Sequence, residues 1–303
     1  MTLKILHEGF YIIVESKILL LLFLFVFVGC SDADEFDIRN KKDVKISILA
    51  IGNSFTIDGT YYLPNLIGAS DIVGITIGTI TVGGKSLEYH YAHAQTNDAV
   101  YDFRLSKNNK YINQEKIGLI DALKYNEWDY IVLQQLSNLS GKYDSYQPYL
   151  NNLIEIVRKY QPHATIAWQL TWAYSSNSTH SGFAYYHNNQ KEMYNSIIEA
   201  VHQMQKETGI ETIIPTGVAI QYLRETHLND KLEYTRDGHH LDLGAGRYTA
   251  ACTWYETLIK PHSGIDILGN PFRTFVGNIP VTEKNYRLFQ EAAYNAVYDW
   301  YNK

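Results

Sequence analysis

The stretch KISILAIGNSFTID, Lys45 to Asp58, changes character in its middle. Lys45 to Ile51 is apolar or β-branched at nearly every position, as expected of a strand buried on both faces, and such strands belong to parallel sheets covered by helices. Gly52 and Asn53 close the run and set Ser54 just beyond it. Open parallel sheets bind ligands outside the carboxyl ends of their strands, at the point where strand order reverses. Ser54 therefore stands where such a fold would carry its chemistry.

Four more runs have the same make-up: IVGITIGTITV (Ile72 to Val82), DYIVLQ (Asp129 to Gln134), ATIAWQL (Ala164 to Leu170) and ETIIP (Glu211 to Pro215). Helical stripes lie between and after them: Leu150, Leu153, Val157 and Tyr160; Met193, Ile197, Val201 and Met204; Tyr286, Phe289, Ala293, Ala296 and Trp300. The alternation predicts an α/β fold, a five-stranded, mainly parallel sheet with helices on both faces. Residues 44–303 are enough for one large domain with its own core, and nothing in that span reads as a linker or repeat.

The segments after the five strands are IGNSFT, GGKS, QQLSN, TWAYSSNSTH and TG, so polar residues gather on the predicted rim. RDGHHLDLGAGRY, Arg236 to Tyr248, precedes one more helical pattern. A serine is a weak nucleophile until a base takes its proton and a third group fixes the base's tautomer. Asp237 and His240 are three residues apart, and Gly238 permits a tight turn, so one loop can deliver both base and orienter to Ser54. Attack on a carbonyl also needs donors for the developing oxyanion. The backbone N–H groups of Ser54 and Gly84 are candidates, and a side-chain amide after the third strand, from Gln134 or Asn138, would complete the set.

The GNS stretch after the first strand, glycine after the second, an amide after the third and D-x-x-H near the end together resemble the SGNH hydrolase superfamily, also called GDSL-like. The order spans nearly all of residues 44–303. The resemblance implies a flavodoxin-like three-layer α/β/α sandwich, a Ser54 nucleophile, a His240 base and Asp237 as its orienter. It also implies oxyanion roles for Gly84 and for an amide of the third block. The longer signatures IGNSFT, GGKSL, LQQLSN and DGHHL-to-GRY resemble a branch known as domain of unknown function 4886. Asn53 replaces the acid of the usual G-D-S, at a position outside the triad. The usual G-x-N-D block is absent: QQLS resembles the Q-G-E-S of sugar O-acetylesterases and favours Gln134, whereas direct spacing favours Asn138.

Blander readings compete at each position. Serine and aspartate favour helix caps, and only the common order of the whole set lifts Ser54 and Asp237 above that reading. His239, beside the base, reads as a surface or packing residue. His90 and His93 stand three apart in LEYHYAH, but no third ligand at zinc-type spacing accompanies them, so no metal is implied. The long connection Trp172 to His187 is rich in aromatics and hydroxyls, and long connections are often functional; Trp172, Tyr174 and His180 are its candidate sugar-binding residues. Cys252 lies among apolar residues at helical spacing and reads as a buried small hydrophobe.

At the other end, Ile18 to Val28 is an unbroken run of eleven apolar residues closed by Gly29 and Cys30. It is too short to span a bilayer as a helix and resembles a bacterial lipoprotein signal (residues 1–30), with Cys30 the lipidated first residue of the mature chain. SDADEFD follows, in an acidic tether over 31–43 that resembles the export tag of surface lipoproteins. The expected location is the cell envelope, at the outer membrane, anchored by lipid on Cys30. The net charge of −6, without a Lys/Arg cluster, argues against a nucleic-acid partner. Twenty-five tyrosines and five tryptophans suit sugar faces as well as cores.

The expectation is a serine-dependent ester hydrolase that needs no metal or organic cofactor and removes O-acetyl or similar groups from a carbohydrate. The rivals are a lipase- or thioesterase-like hydrolase and a glycan-binding lipoprotein that keeps the fold without activity.

Overall fold

The computed structural model describes residues 41–226 and 233–303. Cys30 and the leader lie outside them. Among the described residues no helix is long and apolar enough to cross a membrane.

All five predicted strands are present, as β1 (Lys42–Gly52), β2 (Ile72–Thr81), β5 (Tyr130–Leu133), β6 (Thr165–Gln169) and β7 (Thr212–Ile214). They form the parallel part of one sheet, in the order β2-β1-β5-β6-β7. The sheet has seven strands rather than five. β3 (Tyr101–Lys107) and β4 (Lys110–Ile117) add an antiparallel ribbon outside β2, giving the order β4-β3-β2-β1-β5-β6-β7. Their alternation is that of a half-covered strand: Tyr101, Phe103 and Leu105 are buried, while Asp102 between them faces water and pairs with Lys116 at 2.8 Å. Asn108 and Asn109 both take positive φ at the turn, as a two-residue hairpin requires.

Helices cover both faces, so the class is a mixed α/β fold in three layers. One layer holds α1 (Ser54–Thr60), α2 (Leu63–Ala69), α7 (Thr216–Arg224), α8 (Ala245–Trp254) and, beyond a short α9 (Lys260–Ser263), the C-terminal α10 (Tyr286–Asn302). The other holds α3 (Leu87–Thr96), α4 (Leu119–Lys124), α5 (Tyr149–Tyr160) and α6 (Gln190–Thr208). The predicted stripes are turned inward: Leu150, Leu153 and Val157 on α5, Met193, Ile197, Val201 and Met204 on α6, and Phe289, Ala293 and Ala296 on α10, which packs against α7 and α8, are all buried. Cys252 is fully buried on α8, and burial pushes its thiol pKa well up.

β1 is central and pairs with β2 on one side and β5 on the other, so strand order reverses between β1 and β5. Ser54 is the first residue of α1, directly beyond that crevice.

Candidate active site

Asn53 fixes the turn that carries Ser54. It is 1% exposed, and its Oδ1 accepts from the backbone N–H of Phe55 at 3.0 Å and from Gln134 Nε2 at 2.9 Å. Its Nδ2 donates to the carbonyl of Lys85 at 3.0 Å. One buried amide thus joins the ends of β1, β2 and β5. Nothing in the sequence alone separates this role from an ordinary helix cap.

The acid–base loop is closed on itself. Thr235 and Leu241 form an antiparallel bridge, and the Arg236 N–H donates to the carbonyl of His240 at 2.9 Å. Gly238 has φ +88°, and a Cβ there would come within 2.9 Å of Ser178 Cα, so the turn needs glycine on both counts. Inside the loop, Asp237 Oδ1 accepts from the backbone N–H groups of His240 and His239 at 2.8 and 3.1 Å. Its Oδ2 lies 2.7 Å from His240 Nδ1, and His240 Nε2 lies 2.9 Å from Ser54 Oγ. The structure therefore brings Ser54, His240 and Asp237 into one hydrogen-bonded line. Burial works against ionising Asp237, but the imidazole and the two backbone donors outweigh it and hold its pKa at about 2.

Gln134 and Asn138 have separate places. Gln134 is 2% exposed, with its Nε2 given to Asn53 and its Oε1 accepting from Thr56 Oγ1 at 2.8 Å. Of the two amides that the sequence left open, that of Gln134 is therefore tied into the scaffold under the nucleophile rather than free to serve as an oxyanion donor. Asn138 lies half-buried on the 3-10 turn Ser137–Leu139, held through its carbonyl, which accepts from Tyr186 Oη at 3.0 Å. A Cβ on Gly182 would come within 2.4 Å of Asn138 Cβ, so the turn seats only against glycine. Among the described residues the Asn138 side-chain amide is not spent on the scaffold as that of Gln134 is. Gly84 is exposed on the turn after β2, and the Asn53 bond to Lys85 holds that turn beside Ser54. If this site hydrolyses esters with Asn138 as an oxyanion donor, Asn138→Ala should lower kcat on an aryl acetate about a hundredfold or more with KM little changed. Gln134→Ala should instead act mainly through stability, and melting curves run beside the kinetics separate the two.

Two of the three candidate sugar-binding residues are not on the surface. Trp172 and Tyr174 are both 0% exposed, which corrects their assignment as substrate contacts. Trp172 stacks on Phe55 at 4.1 Å and 8° and donates from Nε1 to the carbonyl of His239 at 2.7 Å. Phe55 in turn meets the His240 ring edge-on at 5.9 Å. The indole therefore backs both halves of the site. Tyr174 Oη bonds Ser137 Oγ at 2.8 Å, beside Asn138. His180 is half-buried, accepts from the Gly182 N–H at 3.0 Å, and has its ring 4.9 Å from that of His239.

His239 packs against His240, with ring centroids 4.1 Å apart, and its Nδ1 is 3.1 Å from Asp237 Oδ1. Burial, then the neighbouring His240, keep its pKa below the ordinary histidine value. Asp237, His239 and His240 are the described residues whose ligand atoms lie close enough for a metal, within 4.8 Å of one another. An ion there would take His240 Nδ1 away from Asp237. His90 is buried with its Nδ1 3.1 Å from Tyr101 Oη, while His93 Nδ1 pairs with Asp98.

A model for a family described as a domain of unknown function, DUF4886, matches residues 47–296. The crystal structure of a DUF4886 family protein from Bacteroides uniformis is 37% identical, with 84% of this chain and 95% of that one covered and a TM-score of 0.76. A candidate SGNH hydrolase from Slackia heliotrinireducens is 20% identical, covering 71% and 99%, at a TM-score of 0.49. Axe2, an acetylxylan esterase from Geobacillus stearothermophilus, is 14% identical, covering 75% and 98%, at 0.47. No curated protein matches the chain.

Proposed function

Because the chain belongs to the DUF4886 family and holds Ser54, His240 and Asp237 in one hydrogen-bonded line, we propose that it is a serine-dependent carboxylic ester hydrolase. That line is the observation that carries the reading. Ser54 Oγ attacks the ester carbonyl while His240 Nε2 takes its proton, and Asp237 holds the Nδ1–H of the imidazolium that forms. The negative charge moves to the carbonyl oxygen, where the N–H groups of Ser54 and Gly84 and the amide of Asn138 are the available donors. Collapse expels the alcohol, which receives the proton from His240. Water, deprotonated by the same imidazole, then opens the acyl-enzyme and frees the acid and Ser54.

The substrate class we favour is an O-acetylated carbohydrate. The segment packed against the acid–base loop is Ser175-Ser176-Asn177-Ser178-Thr179-His180, joined to it by the Ser175 N–H donating to the Gly238 carbonyl at 2.9 Å. Ser176, Asn177 and Thr179 are exposed there. A rim of hydroxyls and amides suits a hydroxylated leaving group and offers little to a long acyl chain. On this reading a lipid on Cys30 would hold the enzyme at the cell envelope.

The test measures acid release by the full-length chain from acetylated plant and mucin glycans, from an aryl acetate and from a long-chain aryl ester, with a fluorophosphonate probe to label the nucleophile. The expected result is a probe adduct on Ser54 and faster turnover of acetyl than of long-chain esters. A preference for the long chain would move the reading to a lipase. Glycan binding without labelling or turnover would move it to a binding protein.

A further inference from the structure

Asp58 is charged and 0% exposed, one helical turn beyond Ser54 on α1. Four residues apart on a helix is the same face, so Ser54 and Asp58 look toward the same neighbour. That neighbour is the acid–base loop. Arg236, immediately before Asp237, donates from Nη1 to both Asp58 oxygens at 3.1 and 3.0 Å, and to the carbonyl of Leu241 at 2.5 Å. Leu241, immediately after His240, donates its N–H to Asp58 Oδ2 at 2.9 Å. Arg247, on the first turn of α8, closes the cluster from Nε at 2.8 Å and Nη2 at 2.7 Å to Oδ1.

We propose that Asp58, through Arg236 and Arg247, is a positioning residue that sets the distance between the nucleophile helix and the loop bearing His240; the inference rests on the esterase reading above. Both stems of the loop fasten to one carboxylate of the helix that begins with Ser54. Because the loop is closed on itself, it moves as a unit; Trp172 and Ser175 hold its outer carbonyls, and this clamp is what ties it to the nucleophile helix. A stabilising role alone does not call for such chemistry. Burying a carboxylate between two guanidinium groups carries a large desolvation cost, and well-packed apolar residues of similar volume often do as well or better. What apolar packing lacks is the bond-by-bond geometry that fixes a register, and a misplacement of about 1 Å between reacting groups can cost about a hundredfold in rate.

Arg236→Gln is the decisive variant, since it removes the bonds to Asp58 and Leu241 while Arg247 still neutralises the buried carboxylate. Asp58→Asn and the conservative Arg236→Lys accompany it. Three quantities are read on the full-length chain: kcat and KM on an aryl acetate, the melting temperature, and the low-field proton of the Asp237–His240 hydrogen bond in histidine-labelled protein. The expected result for Arg236→Gln is a folded protein with kcat about thirty- to a hundredfold lower, KM within about twofold, a shifted or lost low-field proton, and partial recovery in Arg236→Lys. A folded Arg236→Gln with wild-type kcat and an unmoved proton overturns the proposal, whatever its melting temperature. Should Asp58→Asn fail to fold, Arg236→Gln still decides. Should the wild type show no Ser54-dependent hydrolysis, the esterase reading fails on its own, and the proton resonance continues to report whether the clamp places His240.

Discussion

Ser54→Ala should lower kcat on an aryl acetate by about 10⁴-fold or more, to a residual rate that adducts at other residues do not explain. The change deletes one oxygen from a half-buried position at the head of α1, and among the described residues that oxygen bonds His240 Nε2 alone. Asn53 still caps the helix and Gln134 still holds Asn53, so the fold around the gap is intact. The loss is therefore chemical rather than structural, and the melting temperature should stay close to that of the wild type. What remains is catalysis by the donors alone, which hold a bound ester and stabilise its oxyanion for attack by water. A variant that hydrolyses every ester at the wild-type rate, or that still takes the fluorophosphonate, would remove Ser54 as the nucleophile.

The parts of this fold that were legible in the sequence share one property: their chemistry allows a single environment. β1 carries Ile46, Ile48, Leu49, Ala50 and Ile51, all buried, and such a run has no solvated alternative. β3 and β4 were not legible because their outer faces are charged, and a strand that alternates Tyr101, Asp102, Phe103, Arg104 resembles a solvated connection until its partner is known. At the site, the meeting of Ser54, His240 and Asp237 in one hydrogen-bonded line was legible because three residue types were needed and the chain supplied them in order. Trp172 and Tyr174 were misplaced because an indole or a phenol is equally at home on a sugar and in a core, and only the Phe55 stack and the Ser137 bond show which applies. Asp58 was hidden for a different reason. It lies 178 and 189 residues from the arginines that explain it, and no local pattern spans such separations.

Asp237→Asn should lower kcat by about 10⁴-fold while leaving the loop folded, and the reason lies in which oxygen does what. Oδ1 accepts from two backbone N–H groups, those of His239 and His240, whereas Oδ2 faces, among the described residues, the His240 Nδ1. An amide at this position will keep its oxygen toward the two backbone donors and turn its NH₂ toward the ring. His240 Nδ1 must then accept, its proton moves to Nε2, and the nitrogen facing Ser54 can no longer take a proton from it. The same backbone bonds predict a small change in melting temperature near neutral pH, because Oδ1 still satisfies them. The pH dependence separates charge from geometry. In the wild type the folded-state pKa of Asp237 is depressed to about 2, below its unfolded value. Its contribution to stability is therefore present above about pH 4 and is lost as the pH falls through 2. Between pH 4 and 8 Asp237 remains ionised, so a change in wild-type activity inside that window does not come from protonating Asp237. Nitrogen NMR of labelled His240 checks the tautomer directly: the proton should sit on Nδ1 in the wild type and on Nε2 in Asp237→Asn. The same tautomer in both proteins, or an asparagine variant within about tenfold of wild-type kcat, would mean that Asp237 does not orient the base.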